Sequence, residues 1–304
     1  VEYRQLRQFV AVAEELHFGR AAERLGMTQP PLSQAIQRLE MELGVTLFTR
    51  THRSVELTAV GRQILPHAQR VIAEAARLPV LARRYAAGEL GVLRLAFVST
   101  ADYGIVPELL RQYREQWPNM TIELREATSD VQIEALLAGE IDAGIVIGGA
   151  RPSMLDYRPL RRESLVVALP EGWGAGIPEE SGIELATIAG QPLLLFPRRI
   201  APALHDVVTG CFAERGLTPV FGQVAIQMQT IVSLVSAGLG YALVPESIRQ
   251  LQRSGARYAP LEGASPIIET GLIWPRRNPP VAVRNLLRML GNLDQGGDGE
   301  NVPV

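Results

Sequence analysis

The sequence predicts a mixed architecture: a small, mainly helical N-terminal domain, a long connecting helix and a larger α/β region. Three observations carry this reading. A double proline, Pro30-Pro31, separates two short helical patterns; an apolar seam with 4-3 spacing runs from Ile64 to Tyr85; and strand-like and helix-like segments alternate from Gly91 onward. At 304 residues the chain exceeds one ordinary core, which predicts two or three domains.

Proline is tolerated in the first turn of a helix, where backbone N–H groups lack internal partners, so the pair marks a helix start. Before it, Phe18, Ala21, Ala22 and Leu25 share one face and Gly26 supplies a stop. After it, Leu32, Ile36, Leu39 and Leu43 form a second apolar stripe. Two short helices joined by a tight turn form a helix-turn-helix. Gln29, Ser33 and Gln34 lie near the start of the second helix, the end that enters the major groove in this motif, with Gln37 and Arg38 also off the stripe. Glutamine can pair with adenine edges, and serine with phosphate or either base class. The pattern alone also fits an amphipathic helix pair packed in a larger core. The next segment, "VTLFTRTHRSVELTAVG", weighs against that: it reads as a hairpin with Arg50-Thr51-His52-Arg53 at its tip, which makes a winged helix-turn-helix.

Thr58 reads as an N-cap for a helix running to about Gly88. Ile64, Ala68, Val71, Ala75, Leu78, Ala82 and Tyr85 repeat on it at heptad spacing, and an identical helix is the simplest partner for such a seam. A dimer through this segment is expected. Pro66 is near the start; Pro79 predicts a bend or break.

From Gly91, "GVLRLAFVS", "MTIELREA" and "IDAGIVIG" read as strands separated by helices, a βαβαβ layout with a parallel sheet. A second set follows from "SLVVALP" through "PLLLFP", "VFGQVAI" and "YALVP", and the closing "IIETGLIWP" and its helix are left to complete the first. Two α/β lobes leave a cleft where strand ends and helix starts converge. Ser99 and Thr100 stand at one such junction, Thr128 at the next, and Phe196 to Arg199 end a strand on the opposite lobe. Hydroxyls, helix starts and an arginine suit a small carboxylate. Singly, Ser99 and Thr128 also suit helix capping; their joint position at adjacent junctions favours a ligand.

A 47% hydrophobic, 20% charged composition is that of a soluble globular protein. Net charge is −2, and residues 1–60 hold seven arginines and seven glutamates, so DNA binding requires the basic groups to be sorted onto one face. All 30 basic residues are arginine, which fits a bias in genome composition. No apolar run reaches membrane-spanning length and the N-terminus lacks a signal-peptide layout; a cytoplasmic chain without a membrane partner is expected. The lone Cys211 forms no internal disulfide and reads as a core residue, and four histidines without ligand spacing predict no metal; no cofactor is expected. No G-x-S-x-G elbow, phosphate loop or G-x-G-x-x-G follows a strand, so an enzyme is not expected. A binding protein that only carries a small molecule is the alternative, and it would not need residues 1–88.

The stretch "RQLRQFVAVAEELHFGRAAERLGMTQPPLSQAIQRLEMELGVTLFTRTHRSVELTAVGRQILPHA", residues 4–68, with "LLAGEIDAGI", "LVSAGLGYALVPES" and "GLIWPRRNPP" beyond it, resembles LysR-type transcriptional regulators. The resemblance implies a winged helix-turn-helix over 1–58, a dimerising linker helix over 59–88 and a two-lobed effector-binding domain over 89–304, similar to periplasmic binding proteins. Lobe I would take about 89–161 and 267–304, and lobe II about 162–266. It implies a tetramer on double-stranded promoter DNA. DNA contacts carry over onto Gln29, Pro30, Pro31, Ser33, Gln34 and Arg53, and inducer contacts onto Ser99, Thr128, Pro197 and Met228; Thr100 and Phe196 join by adjacency. "TQPPLSQ" and "FVSTADYGIVP" look most like members controlling aromatic-acid and catechol breakdown, whose inducers resemble muconate or benzoate. Gln34 stands where those members often have arginine, and Pro79 departs from their unbroken linker helix.

Overall fold

The computed structural model describes residues 1–51, 54–149, 151–173 and 182–296. The chain forms two compact units, Val1–Arg84 and Tyr85–Val304.

The first unit contains α1 (Tyr3–Glu15), α2 (Phe18–Arg24) and α3 (Gln29–Leu43), the antiparallel hairpin β1 (Phe48–Arg50) and β2 (Val55–Leu57), and most of α4 (Ala59–Ala87). His17 caps α2, its Nδ1 accepting from the N–H groups of Gly19 and Arg20. Gly26 takes φ of +64°, the left-handed turn that sequence patterning asks of it. Pro30 and Pro31 occupy the first turn of α3, where neither removes a helical hydrogen bond. Leu32, Ile36 and Leu39 are fully buried against Phe9, Val12, Ala21 and Phe48. Leu43, expected on the same stripe, is 37% exposed because it ends the helix beyond the core.

Thr58 caps α4 by accepting from Gly61 N–H at 2.9 Å, while its own hydroxyl donates to Thr46 carbonyl at 2.8 Å. Gly61 is buried against the Leu47 carbonyl, where a Cβ would collide. Of the bend or break expected at Pro79, the break does not occur: α4 continues through Pro66 and Pro79 to Ala87. Each proline removes one backbone bond, but the alanine, leucine and arginine around Pro79 are strong helix formers and carry the helix past it.

The second unit runs β3 (Gly91–Phe97), α5 (Ile105–Gln116), β4 (Met120–Glu126), α6 (Ser129–Leu137), β5 (Ala143–Ile147), β6 (Leu155–Pro170), α7 (Leu185–Ile188), β7 (Pro192–Leu195), α8 (Pro202–Glu214), β8 (Val220–Val224), α9 (Met228–Ser236), β9 (Ala242–Pro245), β10 (Ala256–Ala259), β11 (Ile267–Pro275) and α10 (Val281–Gly296). The strands β4-β3-β5 pair in parallel as expected. β11 returns to this sheet, antiparallel to β5, and α10 packs beneath it through Val283, Leu286 and Met289.

"SLVVALP" is not a separate strand. It is the buried end of β6, whose first part, through Ser164, pairs with β11 and whose last residues pair with β9 and β10. Residues 165–170 are all buried, whereas most of 155–164 is half-buried or exposed and rich in arginine, so hydrophobic patterning registers only the buried end. β6 thereby connects two cores, one around Leu93, Leu95, Tyr113 and Ile145 and one around Leu165, Phe212, Val232 and Tyr241. Strands β7 and β8 pair in parallel; the pairings of β6 with β9 and β10 are antiparallel, so the second set is a mixed sheet region and not a copy of the first.

Candidate ligand cleft and candidate DNA-reading surface

The carboxyl ends of β3, β4 and β5 face the starts of α8 and α9 across a cavity of about 540 Å³. Apolar side chains, among them Val98, Ile133, Phe196, Ile200 and Ile273, line much of it. Ser99, Thr100, Thr128 and Phe196 all border this one cavity. Thr100 is 4% exposed and its Oγ1 has no hydrogen-bond partner among the described residues. Thr128 is the N-cap residue of α6, yet its side chain makes no capping bond, so capping does not occupy that hydroxyl. Ser99 Oγ accepts a long hydrogen bond, 3.4 Å, from Met228 N–H at the start of α9.

Pro197 and Met228 do not border the cavity. The Met228 side chain is fully buried in the neighbouring core, leaving only its backbone N–H toward Ser99, and the Pro197 carbonyl accepts from Ile200 and Ala201 in the turn that starts α8.

Two groups at the cavity escaped the sequence reading. Arg151, beyond β5, lays its guanidinium 4.1 Å from the centroid of the Tyr157 ring, and both residues line the cavity. Extending the strand-end rule from β3 and β4 to β5 finds Arg151; Tyr157 sits inside polar-looking β6 and leaves no comparable signal. The two arginines of "FPRR" have different situations. Arg198 grips Asp206 with bonds of 2.7 and 2.8 Å, which holds the Asp206 carboxyl below the usual carboxylate range. Arg199 lines the cavity, exposed, with no ion pair among the described residues. Helix starts, hydroxyls and guanidinium groups around an apolar space suit a small anion with an apolar body.

On the first unit, Gln29, Pro30, Pro31 and Gln34 are exposed at the start of α3 and Ser33 is half-buried beside them. Gln37 and Arg38 are exposed one turn further on. Arg53 and His52 lie outside the described residues. Arg50, at the end of β1, reaches Ser33 with a 2.9 Å hydrogen bond.

Residues 3–62 match the family model described as "Bacterial regulatory helix-turn-helix protein, lysR family", and residues 86–294 match "LysR substrate binding domain". The chain belongs to the LysR family. This LysR-type protein is therefore a DNA-binding transcriptional regulator with an effector-binding domain, and its relatives are regulators, not enzymes. It is 55% identical over 293 residues to the HTH-type transcriptional regulator IlvR of Caulobacter vibrioides, covering 95% of this chain and 97% of that protein. Full-length CbnR complexed with its target DNA superimposes with a TM-score of 0.78 at 31% identity, covering 96% of this chain and 99% of CbnR. The BenM effector-binding domain solved with its effector benzoate covers 70% of this chain and 96% of that domain, with a TM-score of 0.60 at 26% identity. Among the described residues, no helix of this LysR-type chain is long and apolar enough to cross a membrane.

Proposed function

We propose that this regulator reads promoter DNA through Gln29, Pro30, Pro31, Ser33, Gln34 and Arg53 and responds to a small carboxylate in the cleft, held by Ser99, Thr100 and Thr128 with Phe196 as an apolar wall. Met228 takes part through its backbone N–H, and Pro197 only by shaping the turn before α8. The observation that carries the reading is the Thr100 hydroxyl, buried and without a partner among the described residues, at a cavity that Thr128, whose hydroxyl makes no capping bond, also borders. A buried hydroxyl without a partner is costly, and a bound acceptor relieves that cost. The likeness to a domain solved with benzoate supports aromatic acids as the first class to try. The regulator would work in the cytoplasm as a dimer through α4, assembling to a tetramer.

A thermal-shift screen of benzoates and small aliphatic acids on the full chain tests this, because a cleft ligand stabilises by mass action. Ser99→Ala and Thr128→Ala should each weaken ligand binding by about 0.5–1.5 kcal/mol, up to about 3 where the bond is to a charged group, while operator binding in a gel shift is retained. Variants that bind the ligand normally but melt earlier would return both hydroxyls to a structural role.

A further inference from the structure

The guanidinium of Arg50 is held on three sides. Its Cζ stands 4.4 Å from the centroid of the Phe18 ring in α2. Its Nη2 lies 3.6 Å from Glu40 Oε2 in α3, and Nη1 donates to Ser33 Oγ at 2.9 Å. Glu40 is itself fixed, its Oε1 accepting from the backbone N–H groups of Leu47 and Phe48 at 2.8 and 3.1 Å. The arginine therefore cannot drift toward solvent without losing a stacked ring, an ion pair and a hydrogen bond together.

A guanidinium carries donors only, whereas a serine hydroxyl has one proton and two lone pairs. In the Arg50–Ser33 bond the serine must be the acceptor. One lone pair is taken, the adjoining positive charge polarises the O–H bond, and an approaching N–H donor meets that same charge. Among the described residues the hydroxyl proton has no acceptor, although a serine inside a helix often bonds back to a carbonyl one turn earlier.

We infer that Arg50 is a positioning residue for sequence reading, which presents Ser33 to DNA as a hydrogen-bond donor. The base facing Ser33 is then selected for an acceptor on its major-groove edge, purine N7, guanine O6 or thymine O4, and against cytosine, whose edge there offers an amino donor. This rests on the placement of Ser33 at the DNA proposed above, and the two ideas fail differently.

Selection from a random duplex pool with the full-length protein tests it, using the wild type, Ser33→Ala, Arg50→Met, Arg50→Lys and the Ser33→Ala/Arg50→Met double variant. Each selection is run below the melting temperature of its variant, read by circular dichroism. The wild type should discriminate against cytosine at one position by about 3- to 10-fold, the worth of one hydrogen bond. Ser33→Ala and Arg50→Met should each erase that discrimination at the same position, and the double variant should lose nothing further. Arg50→Lys, which keeps a donor and the charge, should retain it. An Arg50→Met variant that binds all sequences more weakly, with a salt slope lower by about one but the preference intact, would make Arg50 a plain phosphate contact and overturn the inference. Loss of the preference in Arg50→Lys would overturn it as well. Ser33→Ala with wild-type preference would instead remove Ser33 from base reading altogether.

Discussion

Cys211 is 2% exposed in the core beside Val208 and Phe212, and burial pushes its thiol above the ordinary range. Reactive cysteines need thiolate character and access, and this residue has neither. The native protein should therefore resist alkylation by iodoacetamide at neutral pH and react fully once unfolded, as counted by intact mass. Modification of the folded protein within minutes would show that the core opens locally. The residue type and its apolar neighbours made the burial of Cys211 legible in the sequence, and topology alone marked the strand ends at which Ser99 and Thr128 border the cavity. What patterning cannot reveal is which polar group is already occupied. Arg198 and Arg199 are adjacent and identical in type, yet one is bound to Asp206 and the other borders the cavity. Thr100 entered by adjacency, and only its burial without a partner gives it a physical claim on a ligand.

At the scale of elements, the start of α4 joins a cap to a close backbone approach. Thr58 accepts from Gly61 N–H, and Gly61 lies directly on the Leu47 carbonyl. Thr58→Ala should destabilise the first unit by about 1 kcal/mol through loss of the cap. Gly61→Ala should cost about 1–3 kcal/mol, since the added methyl must push a backbone carbonyl that cannot rotate away. Urea unfolding followed by circular dichroism distinguishes them; an unchanged midpoint for Gly61→Ala would mean that the backbone at Leu47, just before β1, shifts freely. Elements with one buried face and one wet face, such as α2, α3 and α4, announce themselves by period. β6 does not: through Ser164 its pairing with β11 leaves Arg161 and Arg162 exposed and most of its other residues half-buried, so the hydrophobic signal begins only where the second core begins. The same blindness explains Tyr157, which lines the cavity from a stretch to which patterning assigns no element.

For the whole molecule the decisive surface is the far part of α4, which spans the boundary between the two compact units. The seam read from sequence has seven positions, but they are not equivalent. Ile64 and Ala68 pack into the core of the first unit, so that unit covers them itself. Beyond them Val71 is 51% exposed, Leu78 63% and Tyr85 57%. Single exposed apolar residues are ordinary, but a row repeating at heptad spacing on one helix gains by pairing with a like row. The proposed dimer therefore rests on Val71 to Tyr85 and not on the whole seam. Replacing Ala75 and Leu78 together with aspartate places unpaired charges in that interface, where desolvation is strongly unfavourable. In the monomer the same charges stay largely in water, Leu78 being mostly exposed, so the fold should survive with its helical signal intact. Sedimentation of the double variant should show half the parent mass or less. Operator affinity should fall with it, because two linked reading heads engage DNA far more tightly than one. A variant that keeps the parent mass would show that this face of α4 is covered in some other way, and assembly would have to be sought on the second unit.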